Sequence, residues 1–200
     1  MSNIILLGFM GSGKTTFGKW LAKSRNMKFC DTDELIEARE GRTINDIFAA
    51  EGEEYFRDLE TEMLRALVDE YVDEYVKETK EAKDITAGEK PGAAERGSGK
   101  KAAESAVISV GGGLPVRAVN REIMHELGIC VYLRTSKEEL IRRLQKDNTR
   151  PLLAGGKLEE KVDSLMAARK DIYESAADII LDTDGVSFEA MADIINGRTV

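Results

Sequence analysis

Residues Gly8-Phe9-Met10-Gly11-Ser12-Gly13-Lys14-Thr15 match the pattern GxxxxGK[ST] in full, between an apolar run, Ile4–Leu7, and a stretch of helical composition from Thr15 to Arg25. A buried strand, a glycine-rich turn and a helix in that order aim successive backbone N–H groups at one point, where the positive helix end favours an anion. The pattern predicts a cradle for nucleotide phosphates in which Gly11, Ser12 and Gly13 let the backbone come close. Lys14 would neutralise the β- and γ-phosphates, the Thr15 hydroxyl would bind the Mg²⁺ that bridges them, and Thr16 would add a phosphate contact.

The rest of the chain is compatible with the sheet that such a loop needs. Val107–Val110, Ile129–Leu133 and Ile179–Leu181 are short apolar runs like Ile4–Leu7, and Lys28–Cys30 is a weaker fifth. The main runs are continuously apolar rather than alternating, which suits strands buried on both faces, as in a parallel sheet covered by helices. Helices are expected at Thr15–Arg25, Glu34–Glu40, Ile44–Glu51, Tyr55 to about Lys80, Val119–Glu126, Lys137–Lys146 and Leu158–Ser175. This alternation predicts an α/β fold with a doubly wound sheet.

With 200 residues the chain suits one domain, 1–200. The stretch 84–105 is rich in Ala, Gly, Lys and Glu with one large apolar residue, Ile85, so it reads as a flexible surface insertion. Within it Gly97-Ser98-Gly99-Lys100 imitates a phosphate loop, but Ala94 and Lys101 stand where the pattern needs Gly and Ser or Thr.

Composition narrows the partners. A net charge of −8 argues against binding a phosphodiester backbone, which requires a basic face, so no nucleic-acid partner is expected. Cys30 and Cys130 have neither disulfide-framework nor zinc spacing, which fits a reducing cytoplasm. Without a basic leader or an apolar run of membrane-spanning length, the expectation is a cytoplasmic protein with no membrane association. His125 reads as a capping or solvated helix-end residue, Phe17 and Trp20 as helix-face packing, and Cys30 as a small buried hydrophobe. The run Asp69–Glu81, with Tyr71 and Tyr75, reads as a solvated amphipathic helix.

No Asn-Lys-x-Asp element selects guanine, and the strand at Val107–Val110 ends in Gly111-Gly112-Gly113 rather than in an acidic residue. The metal-side carboxylate must come from elsewhere. Asp31-Thr32-Asp33, at the carboxyl end of the second strand, supplies two carboxylates at the sheet edge where α/β proteins bind ligands. Asp31 would face the Mg²⁺ shell through water, and Asp33 would orient an acceptor hydroxyl or take its proton. The competing structural role for Asp33 is the N-cap of the helix at Glu34–Glu40, and capping explains one Asp but not two.

Five features taken in order, the phosphate loop, Asp31-Thr32-Asp33, Phe56-Arg57-x-x-Glu60, Gly111-Gly112-Gly113, and Arg150-Pro151-Leu152-Leu153 followed by Arg169-x-x-x-Tyr173, give a chain that resembles the shikimate kinases from residue 4 to about 182. The resemblance implies a three-layer P-loop kinase fold, with a parallel sheet of about five strands covered by helices on both faces. It implies ATP and shikimate as substrates and Mg²⁺ as cofactor. Asp33, Arg57 and Arg169 would hold the acceptor, with Gly111, Gly112 and Gly113 making room for it. Shikimate carries one carboxylate and three hydroxyls, and the planar forks of Arg57 and Arg169 suit the carboxylate in a way Lys does not. Arg150 would sit in a lid at about 147–157 and stabilise charge on the transferring phosphoryl group. The reaction implied is in-line transfer to the 3-hydroxyl of shikimate by a monomer. Two other readings share the same loop. One is a kinase for another small acceptor, such as gluconate or a nucleoside monophosphate; the other is a nucleotide-binding regulator acting through 84–105.

Overall fold

The computed structural model describes residues 2–73, 105–145 and 158–197. The insertion at 84–105, except Ser105, and the lid at 147–157 with Arg150 therefore lie outside the described residues. Five parallel strands form one sheet in the order β2-β3-β1-β4-β5: β1 Asn3–Leu7, β2 Lys28–Asp31, β3 Ala106–Ser109, β4 Gly128–Arg134 and β5 Ile179–Asp182.

The continuous apolar runs are explained by two cores. Alternate side chains of each central strand point to opposite faces. Ile5, Leu7, Ile108, Cys130 and Tyr132 enter one core, while Ile4, Leu6, Val107, Val131 and Leu133 enter the other. The first core is covered by α2 Thr32–Glu40, α3 Ile44–Val68, α4 Ala118–Leu127, α5 Lys137–Leu144 and α6 Leu158–Ser175. The second is covered by α1 Lys14–Arg25 and by α7 Phe188–Asn196, where Phe17, Trp20 and Phe188 pack ring against ring. This is the expected three-layer α/β arrangement. Among the described residues no helix is long and apolar enough to cross a membrane.

Four differences from the sequence reading have physical causes. Helix α7 is an addition: Ser187 caps it through the Ala190 N–H, and Met191, Ala192 and Ile195 form its buried stripe. The helices expected at 44–51 and from 55 are joined in α3 by a kink at Gly52, whose φ of 86° glycine readily adopts. Tyr71, expected on a solvated helix, lies instead in a π-helical turn, Asp69–Asp73, and is buried in the first core. Cys30 is only partly buried; its Sγ lies 3.4 Å from the Tyr71 hydroxyl.

Candidate active site

All the predicted site residues within the described part of the chain line one cleft of about 910 Å³ at the carboxyl edge of the sheet. Its donor half is the phosphate loop between β1 and α1. Gly13 precedes the first turn of α1 with φ 96°, a left-handed conformation that a side chain would strain. Lys14 is buried and its Nζ donates to the carbonyls of Gly8 (2.9 Å) and Phe9 (3.1 Å), which holds the ammonium against the loop.

Thr15 and Asp31 meet at the mouth of this half, the Thr15 hydroxyl donating to Asp31 Oδ2 at 2.9 Å. Asp31, not Asp33, caps α2: its Oδ1 accepts the Asp33 N–H at 3.1 Å. The helix starts two residues earlier than the sequence suggested, so Asp33 falls in its first turn and is released from the capping role. Thr32 between them is structural, its buried hydroxyl accepting the Gly111 N–H at 3.0 Å and fixing the glycine run beside Asp33.

The acceptor half is built on α2, α3, the glycine run and α6. Arg57 and Arg169 are buried. Solvated helix charges would be exposed; these two line the cleft. Each glycine makes room for a different neighbour. A Cβ on Gly111 would lie 2.6 Å from Asp33 Oδ1 and 2.8 Å from Glu60 Oε1; on Gly112, 3.3 Å from Met10 N; on Gly113, 2.3 Å from Arg57 Nη1. The run thus carries Asp33 and Glu60 on one side, Arg57 on another, and rests on the phosphate loop.

Two side chains of the cleft, Glu60 and Arg143, and one buried behind it, Tyr173, escaped assignment from sequence. Glu60 is fully buried and pairs with Arg57 through a 2.7 Å bond, while its Oε1 has no hydrogen-bond partner among the described residues. Burial pushes its carboxyl up to about 7, with Asp33 adding to the shift and Arg57 opposing it. Arg57 in turn is raised despite burial, because Glu60 and Glu53 favour its charged form. Tyr173 donates to the Gly112 carbonyl. Arg143, held by Glu139 at 2.7 Å, donates to the Gly11 carbonyl at 3.1 Å. The i,i+3 spacing of Arg57 and Glu60 signalled an ion pair, and the Arg169-x-x-x-Tyr173 spacing placed both on one helix face. No local signal pointed Arg143 at a loop 132 positions away.

Away from the cleft, Asp178 ties α4, β4 and β5 together. It accepts the Cys130 N–H at 2.8 Å and lies 3.7 Å from His125 Nδ1, while burial pushes the Cys130 thiol up to about 12.

The cleft offers an anion-binding loop beside a pocket with two guanidinium groups and carboxylates, which suits holding nucleotide phosphates next to a small hydroxy acid. The family model described as shikimate kinase matches residues 10–79 and 96–197. The chain belongs to the shikimate kinase family. It is 34% identical over 195 residues to the shikimate kinase of Geobacter metallireducens, covering 98% of this chain and 90% of that one. With the shikimate kinase of Persephonella marina it shares 37% identity over 198 residues, 99% of either chain. Among solved structures, shikimate kinase from Acinetobacter baumannii in complex with shikimate matches with a TM-score of 0.75 and 32% identity, over 98% of this chain and 91% of that one. The family's shikimate kinase from Aquifex aeolicus matches with a TM-score of 0.67 and 29% identity, over 98% and 94%.

Proposed function

We propose that this chain transfers the γ-phosphoryl group of ATP directly to the 3-hydroxyl of shikimate, giving shikimate 3-phosphate and ADP. The observation that carries this reading is the pairing of Arg57 and Arg169, both buried and both in the acceptor half of the cleft that contains the phosphate loop. Two planar cations in one pocket suit a carboxylate acceptor.

ATP phosphates would lie along Gly11–Thr16, with Lys14 moving from the loop carbonyls to the β- and γ-oxygens. The nucleobase end of the cleft would lie between Arg143 and the residues that follow β5, Thr183 and Val186, which line it. Asp33 and Glu60 converge on Gly111, where acceptor hydroxyls would be read. Asp33 would orient the attacking hydroxyl or take its proton. The Thr15 hydroxyl and the Asp31 carboxylate, bonded to each other at the loop, are hard oxygen donors that fit Mg²⁺, with Asp31 acting through water. Bound there, Mg²⁺ supplies neutralisation of phosphate charge. Arg150, in the Arg150-Pro151-Leu152-Leu153 motif, would supply a cation over the transferring group. Positioning and charge stabilisation then account for catalysis without a covalent intermediate.

Proton–phosphorus correlation NMR of the product tests the regiochemistry. Coupling of the new phosphate to the ring proton at carbon 3 is expected; coupling at carbon 4 or 5 would overturn the assignment.

A further inference from the structure

We propose that Tyr173 is a positioning residue for the acceptor, its hydroxyl fixing the Gly112 carbonyl so that the Arg169 guanidinium stays available to the acceptor carboxylate. This rests on the function proposed above.

Arg169 and Tyr173 stand four residues apart on α6, so their side chains share one helix face. Both are buried, and both reach the same atom. The Gly112 carbonyl accepts the Tyr173 hydroxyl at 2.5 Å and Arg169 Nη1 at 3.3 Å. The tyrosine bond is much the shorter. A carbonyl oxygen accommodates two donors, one on each lone pair. Arg169 thus makes one long contact with this carbonyl and faces the Tyr173 hydroxyl, while its guanidinium borders the cleft where a ligand would lie.

The peptide held in this way has a second neighbour. A Cβ on Gly112 would lie 3.3 Å from Met10 N and 3.4 Å from Gly8 O, so this is where the acceptor loop rests on the phosphate loop. Rotation of the Gly112 peptide would alter both the bed of the acceptor and its distance from the phosphoryl group. The anchor itself is firm. The Tyr173 ring packs against Tyr132 of β4, with centroids 5.2 Å apart. Burial also raises the pKa of the Tyr173 phenol, which keeps the hydroxyl a donor throughout the working pH range.

Phenylalanine fills the same space and lacks only the donor. In Tyr173→Phe the Gly112 carbonyl would be left with the long Arg169 contact alone, and the guanidinium would be drawn onto it and away from the acceptor. Loss of a buried hydrogen bond of this kind predicts about a tenfold rise in the shikimate KM. The ATP KM should stay within about twofold and the melting temperature should be nearly unchanged, since the ring packing is intact.

The experiment varies ATP and shikimate independently for wild type, Tyr173→Phe, Arg169→Lys and the double variant, with thermal melts of each. Because the tyrosine acts through Arg169, Tyr173→Phe should cost much less in the Arg169→Lys background than alone. An unchanged shikimate KM in Tyr173→Phe, equal rises in both KM values, or fully additive effects in the double variant would each overturn the role. Wild-type protein without shikimate-dependent ADP release would overturn the function reading itself; wild-type turnover with an indifferent Tyr173→Phe overturns the role of Tyr173 alone.

Discussion

Replacing Gly113 by Ala should move Arg57 without deleting it. Gly113 has φ −96° and ψ −15°, a right-handed conformation open to alanine, so the backbone itself does not resist the change. The new methyl would lie 2.3 to 2.5 Å from the Nη1, Nη2 and Cζ atoms of Arg57. Ordinary contact begins about an ångström further out, so the guanidinium must retreat by roughly that distance. In doing so it loses its 2.7 Å bonds to Glu60 and Glu53 and its aim into the acceptor pocket. A charge-assisted hydrogen bond contributes about 1.5–3 kcal/mol, which corresponds to roughly a 10- to 150-fold rise in the shikimate KM. The ATP KM should hold, because Gly113 touches Arg57 rather than the phosphate loop. Stability should fall by only about 1–3 kcal/mol, because Glu60 can take up a proton when its partner leaves. Steady-state ADP release with each substrate varied, together with thermal melts, measures all three quantities. A Gly113→Ala protein with the wild-type shikimate KM would refute the placement of Arg57 in the acceptor pocket.

Lys14→Ala should abolish measurable turnover while the protein still folds; a rate near wild type in the same assay would remove the loop from the chemistry. Asp31→Asn keeps a good helix cap but weakens the metal side, so half-maximal activity should need about tenfold more Mg²⁺ with the melting temperature unchanged. Glu60 gives a pH signature: with ATP and Mg²⁺ saturating, the shikimate KM should rise as the carboxyl, shifted from 4.5 to about 7, ionises and takes up the charge of Arg57. Measured from about pH 6 to about pH 8, this rise should vanish in Glu60→Gln. The sign for stability is the same, because a raised carboxyl contributes stability below 4.5 that is lost as pH passes about 7.

The sheet was legible because continuous apolar runs have one natural explanation, burial on both faces. Ile4 and Leu6 serve one core and Ile5 and Leu7 the other, and no polar alternation survives that demand. The phosphate loop was legible because its chemistry is local, eight consecutive residues between a strand and a helix. The capping role weighed for Asp33 falls to Asp31 because a helix start displaced by two residues decides which carboxylate reaches a backbone N–H. Glu60 and Tyr173 lay inside recognised motifs, yet their work depends on partners across the fold. The hydroxyl of Tyr173 meets a carbonyl 61 positions away, and Glu60 meets Asp33 only at Gly111. Helix α7 carries a serine cap and an apolar stripe, both local signals present in the sequence.

The most direct measurement is ADP release by the purified protein with ATP and Mg²⁺, comparing shikimate, gluconate, AMP and no acceptor. Stimulation by shikimate alone is expected from a pocket with two buried arginines and carboxylates beside the phosphate loop. Turnover stimulated by gluconate or AMP instead, or ATP binding without stimulation by shikimate, would contradict it.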